Sequence, residues 1–273
     1  MFIFFHQLPL PQMFVAVLLV SLSVCWLIIG AVRTVVRLAG FGPTEMLPIR
    51  DSIIGACTTI FALIVAFSAA GIWNDGLNAR NTVQREADAL ENASVLAAGL
   101  PAEVRTAIRS DIRAYATSVM TTDWPEMAKG GTLEDPVFGQ SENILVTMIE
   151  FLSHQPPSLD QQPIFSALLN QILAARNARI ARLAASNSGI TWAQWIAMFI
   201  ISTSALTAIA ICNTHSLRMQ VTATHLYVLV ASAAYFVILA HDRPFIGSIS
   251  IKPIAFQSLI ASEAREPSSG ENN

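Results

Sequence analysis

Four stretches of this chain each run for about twenty residues without a single Asp, Glu, Lys or Arg, and that property leaves few folds open. A hydrocarbon layer about 30 Å thick is crossed by roughly 20 apolar residues in helical conformation. Residues 13–32, 52–73, 190–211 and 219–240 meet this length, each fenced by charge: Arg33 after the first, Arg50, Asp51 and Asp75 around the second, Arg218 before the fourth and Asp242 with Arg243 after it. Trp192 and Trp195 stand where interfacial aromatic anchors belong. Gly40, Gly42, Pro43 and Pro48 forbid a continuous helix between the first two runs, so these form a hairpin. Residues 213–218 join the other pair in the same way. The first run is expected to stay in the protein, because its leader lacks Lys and Arg and no small-residue cleavage site follows.

Between the hairpins the pattern changes to amphipathic helix. Val83, Ala87, Leu90 and Leu96 share one face of a helix that continues out of the second span. Gly99, Leu100 and Pro101 break it, with Pro101 suited to a first helical position. Val104, Ile108, Ile112, Tyr115 and Val119 form the next stripe, which Trp124-Pro125 is expected to end. Ser141 reads as the N-cap of a short helix, and residues 158–185 as a long one with Ile164, Leu168, Ile172, Leu173, Ile180 and Leu183 inward. The fold class is thus all-α: an integral membrane protein with four transmembrane helices and an inserted helical cytoplasmic domain. The expected division is residues 1–73, the helical domain 74–188, the second hairpin 189–245, and a C-terminal segment 246–273 whose polar end from Glu263 onward is disordered.

Charge sets the orientation. Arg80, Arg85, Arg176, Arg179, Arg182, Arg243 and Lys252 flank spans on the side of the helical domain, against Arg33, Arg37, Arg50 and Arg218 on the other. The total places the domain and both termini in the cytoplasm, although the first helix, bare before and basic after, argues the reverse. A net charge of −3 gives no reason to expect a nucleic-acid partner. The three cysteines, Cys25, Cys57 and Cys212, lie in apolar windows with no CxxC partner, and read as inert thiols. No catalytic signature or metal-ligand spacing appears, so neither an enzyme nor a cofactor is expected. No Asp, Glu, Lys or Arg sits mid-span, where proton-coupled transporters keep such a residue.

Several local patterns run together along the chain. They are the segment FALIVAF at 61–67 with Trp73, Glu86-Ala87 with Leu90, and Leu100-Pro101 with Arg105 and Tyr115. Asp123-Trp124-Pro125 with Met127 follows, then Ser188-Gly189-Ile190, and Asp242-Arg243-Pro244-Phe245 with Gly247 and Pro253. In these the sequence resembles the bestrophin-like membrane protein family, widespread in bacteria. One departure is Thr191, where that family commonly has proline. The resemblance implies a bacterial inner-membrane location and a distant kinship with bestrophins, which are pentameric anion channels with a cytosolic helical body. The Pro244-Phe245-x-Gly247 element resembles the segment that leads into the bestrophin calcium clasp, but here Ser248 to Lys252 follow, without a carboxylate. A calcium site of six to eight oxygens is therefore not expected.

Under that resemblance the chain is expected to form a homo-oligomer, a pentamer by that likeness, in the lipid bilayer and with ions as its cargo. Gly55, Thr59, Leu63, Phe67 and Gly71 recur every fourth residue on the second span and are the pore-lining candidates, with a constriction at Leu63 and Phe67. The competing reading is close helix packing through the small residues. Asp242, Arg243, Pro244 and Phe245 either line a cytosolic vestibule or dock against the helical body, or else merely mark the water boundary and close the fourth span. Arg176, Arg179 and Arg182 are expected to face lipid headgroups, or else to form a solvated face paired with carboxylates. The alternative to a channel is a non-conducting membrane scaffold or sensor whose helical domain binds a partner.

Overall fold

The hydrophobic spacing resolves into helices in a computed structural model that describes residues 6–39, 50–131, 135–155 and 157–265. Helix α1 spans Leu10–Ala39 and α2 Arg50–Ala97, a single helix of 48 residues. After a turn at 98–100 come α3 (Ala102–Ser118), a π-helical turn at Val119–Asp123, and α4 (Trp124–Lys129). Then follow α5 (Gly139–Ser153), α6 (Gln162–Ser186), α7 (Trp192–Cys212), α8 (Leu217–His241) and α9 (Ile254–Arg265). Among the described residues there is no strand. Four helices, α1, α2, α7 and α8, are long and apolar enough to cross a membrane. The connection at 40–49, including Gly40, Gly42, Pro43 and Pro48, lies outside the described residues, as do residues 266–273.

The chain divides into two compact units. One comprises Met1–Asn74 and Gly189–Asp242, the other Asp75–Ser188 and Arg243–Asn273. In the first, α1 packs on α7 and α8, and these on each other. Its core is aromatic and aliphatic: Trp195, Met198, Tyr235, Ile238 and Leu239 enclose Phe61 and Ile72 of α2. A smaller cluster joins Cys25 and Ile29 to Leu206 and Val228. Cys25 is buried, whereas Cys57 and Cys212 are half-buried, and none of the three is in a disulfide. Arg33 donates to Gln220 Oε1 at 2.8 Å, and the buried Gln220 amide donates to the Ala210 carbonyl at 2.8 Å, so one polar knot ties three helices. Thr191 opens α7 with a capping box: its N–H donates to Gln194 Oε1 at 2.9 Å while its hydroxyl accepts from the Gln194 N–H. A proline here would lack that N–H, which gives the departure at Thr191 a local physical meaning.

In the second unit the stripe Val104, Ile108, Ile112, Tyr115 and Val119 is buried throughout, packed with Val83, Leu90, Leu168, Ile172 and Leu183. Pro101 is the N-cap of α3, one position earlier than its sequence suggests. Four other expectations are corrected. Trp124-Pro125 does not end the helix, which passes through the π turn and stops at Gly130, whose φ of 87° is a left-handed cap. The π turn widens the ladder where the Pro125 ring would strike the Thr121 carbonyl. Ser141 is not an N-cap: α5 starts at Gly139 and buries the Ser141 side chain. The long helix begins at Gln162 rather than near 158. On it Leu173 and Ile180 are exposed, and the inward positions nearby are taken by Arg179 and Arg182.

Candidate functional site: the outward face of the second span and a buried ion cluster

Helix α2 packs on one side only. In its most apolar window 11% of residues are buried, against 39% for α8. Phe61, Ser68 and Ile72 face the core, where Phe61 meets Tyr227 and Tyr235 with ring centroids 6.1 and 6.0 Å apart, and the Ser68 hydroxyl reaches Met198 Sδ at 3.8 Å. Gly55, Thr59, Leu63, Phe67 and Gly71 are all exposed on the other side, Leu63 at 53% and Phe67 at 70%. A methyl group added at Gly55 or Gly71 would meet nothing within 4 Å. The small residues here are therefore not explained by close packing inside this chain.

The segment after α8 is held by hydrogen bonds rather than left open. Asp242 is buried and accepts from the Ile190 N–H at 2.6 Å, with His6 Nε2 3.5 Å from its other oxygen. Arg243 donates to the Asn187 carbonyl at 3.0 Å, closing the C-terminus of α6. The Pro244 carbonyl accepts from the Ile251 N–H at 2.9 Å, folding 244–251 into a loop with Gly247 at φ 86°. Phe245, 1% exposed, sits edge-on to Trp124 at 5.5 Å.

Of the three arginines expected to face headgroups or to pair with carboxylates, Arg179 and Arg182 are turned into the helical unit. Arg182 is fully buried and grips Glu86 with two prongs, Nε to Oε2 at 2.7 Å and Nη2 to Oε1 at 3.1 Å. Its Nη2 also donates to Asp123 at 3.0 Å, and its guanidinium lies 5.5 Å from the Trp124 ring and 6.0 Å from that of Phe256. Arg179, 3% exposed, donates to Glu142 at 2.9 Å and to Ser141 at 3.0 Å, while Ser141 donates to Asp123 at 2.9 Å. Only Arg176 is substantially exposed, and it pairs with Glu142 at 2.7 Å. Tyr115 donates to Glu86 at 2.5 Å. A guanidinium cannot shed its charge, so burial demands carboxylates around it. Two buried cations against two buried anions, Glu86 and Asp123, leave no net charge inside. Burial opposes the Arg182 charge, but Glu86 and Asp123 more than offset it and hold the guanidinium pKa above its ordinary value. Burial, then the Glu86 charge, pushes the Tyr115 phenol well above 10.

The sequence signal for this cluster was a register. Positions 79, 83, 86, 90, 93 and 97 on α2, and 168, 172, 175, 179, 182 and 186 on α6, are inward throughout, and the charged members sit on those stripes. Among the described residues no group of three or more His, Cys, Asp or Glu side chains could hold a metal ion.

Known proteins share this architecture. Solved structures of a bacterial bestrophin homolog from Klebsiella pneumoniae are similar. The form phased by zinc anomalous scattering has a TM-score of 0.65 at 12% identity, covering 93% of this chain and 99% of that one. A single-residue variant of the homolog has 0.65 at 13%, covering 92% and 97%. A structure described only as a membrane protein variant gives 0.65 at 12%, covering 92% and 96%. At such identity the likeness is one of fold. No curated protein matches. The family model for the bestrophin-like domain matches residues 49–256, most of the chain, and the protein belongs to that family.

Proposed function

We propose that the protein is a passive ion channel of bestrophin type, a homo-oligomer in which α2 turns Gly55, Thr59, Leu63, Phe67 and Gly71 toward a common axis. The observation that carries this reading is the one-sided packing of α2, with a whole face of small and apolar residues uncovered within the protomer. Around an axis, Leu63 and Phe67 make an apolar ring of the kind that closes by dewetting, while Gly55 and Gly71 leave wider mouths. A pentamer is the natural count by family. The helical unit and both termini are cytoplasmic in this reading, in a bacterial plasma membrane, with the balance of Arg and Lys near helix ends as its support.

Conductance in planar bilayers tests it. Leu63→Ser and Phe67→Ser should admit water to the ring and raise ion flux with the oligomer intact, whereas changes at Val65 and Ser68, on the packed side, should not. Equal gains from Val65 and Ser68 variants would refute the face assignment. A monomer in mild detergent with no flux from any variant would leave α2 facing lipid, and the non-conducting scaffold would stand. Reporters inserted at Gly130 and fused after Asn273 should both read cytoplasm; opposite sides would undo the four-span topology.

A further inference from the structure

The helical unit contains a cleft of about 450 Å³ between α2 and the α9 segment, and none of the residues discussed above as pore or ion cluster lines it. Its floor is apolar, with Val83, Ala87 and Leu259 buried. Its rim carries charge of both signs, Arg80 and Lys252 against Asp88 and Glu91. The four are exposed, and among the described residues none is in an ion pair. The signs are separated along the cleft. Glu263 is hydrogen-bonded to Ser94, one turn beyond Glu91, which closes the acidic end. Arg80 and Lys252 each precede that contact by about three turns or more along their own segments and lie toward the other end. Gln84 holds Asp88 at 2.7 Å, one turn from Arg80 on the same wall.

From this arrangement we propose that the cleft binds a short peptide with free termini, its carboxylate at Arg80 and Lys252 and its ammonium at Asp88 and Glu91. A helix rises 1.5 Å per residue, so Arg80 and Asp88 are about 12 Å apart along α2, and Arg80 and Glu91 about 16 Å. An extended peptide covers about 3.4 Å per residue, so roughly four residues span the distance. The apolar floor takes small apolar side chains, and the hydroxyl oxygens of Ser258 and Ser262 on the facing wall can accept from peptide N–H groups. Two like-charged pairs set apart by this distance do not suit a simple anion, which would use one end and leave the other idle.

The test is calorimetric titration of the full chain in nanodiscs with tetraalanine, its N-acetyl form and its C-terminal amide. Saturable binding of tetraalanine is expected, weakened about fivefold or more by either cap and by Arg80→Gln or Glu91→Gln. These side chains are exposed, so the variants keep their fold, which a thermal melt verifies. Absence of saturable tetraalanine binding at millimolar concentration overturns the proposal. So does equal binding of the acetylated peptide, which would make the cleft an anion site, or binding indifferent to both variants. None of these readouts requires ion flux, so their failure is separate from failure of the channel reading.

Discussion

Arg182 on α6 and Glu86 on α2 face each other through two parallel hydrogen bonds, 2.7 and 3.1 Å long, with both side chains wholly shielded from solvent. The pair draws together segments far apart in sequence, and its importance shows when one partner is removed. Arg182→Ala would strand Glu86 without its cation and leave Asp123 with Arg179 alone, 3.8 Å away, and is expected to cost about 3–5 kcal/mol. Arg182→Lys keeps the charge but not the fork, and should fall between that variant and the parent. Thermal unfolding followed by circular dichroism in mild detergent checks this; an Arg182→Ala protein as stable as the parent would show that the cluster relaxes around the loss.

The two faces of α2 should respond oppositely to truncation. Phe61, 7% exposed among Tyr227 and Tyr235, should lose about 3–5 kcal/mol on replacement by alanine. Phe67, 70% exposed, should lose much less from the fold of the chain and, in the proposed channel, change assembly or flux instead. Comparable losses of protomer stability in the two variants would contradict the one-sided packing.

Tyr115 gives a pH signature. Its phenol is held neutral well above 10 by burial and by the adjacent Glu86 charge. Once the pH passes the ordinary value near 10, the unfolded chain releases a proton that the folded one retains. Stability should therefore fall as pH rises above about 10, with a smaller fall in Tyr115→Phe. Melts on either side of that value for both proteins measure the difference, and identical slopes would count against it.

Calcium should leave the melting temperature unchanged at micromolar levels, because the loop of Gly247 to Lys252 presents no carboxylate. A calcium-dependent rise in melting temperature, lost on Asp242→Asn, would contradict that expectation.

The membrane helices were legible because hydrocarbon tolerates so little charge that a charge-free window of about twenty residues fits a bilayer better than any aqueous setting. The fate of Arg179 and Arg182 was not, although the spacing held the clue. An arginine on a helix just outside a span fits headgroups, solvent or a buried pair equally well. The deciding fact, that Glu86 and Asp123 arrive opposite, belongs to tertiary structure. Leu173 and Ile180 misled for the complementary reason: an apolar side chain signals burial only when it shares the register of its neighbours, here Leu168, Ile172 and Ala175. The face of α2 was readable as a face from its four-residue spacing alone. Thr191, by contrast, could be read locally, since a cap needs only Gln194 three residues on.

The π turn at Val119–Asp123 is where the helix absorbs one surplus residue without losing its phase. Trp124 bonds back to Val119, a five-residue step, so the helix carries one residue beyond the regular ladder. Thr121 is exposed and should accept many substitutions. Its deletion would remove that surplus residue and let the ladder close as a regular α-helix with everything downstream still in phase, so Trp124 keeps the Ile251 carbonyl to which it donates at 3.1 Å and Met127 stays beside Arg182. Losing a second residue would rotate the downstream helix by about 100° and carry both away. Relatives one residue shorter here would thus present the same side chains to the buried guanidinium, and a single gap in this stretch leaves the packing unchanged.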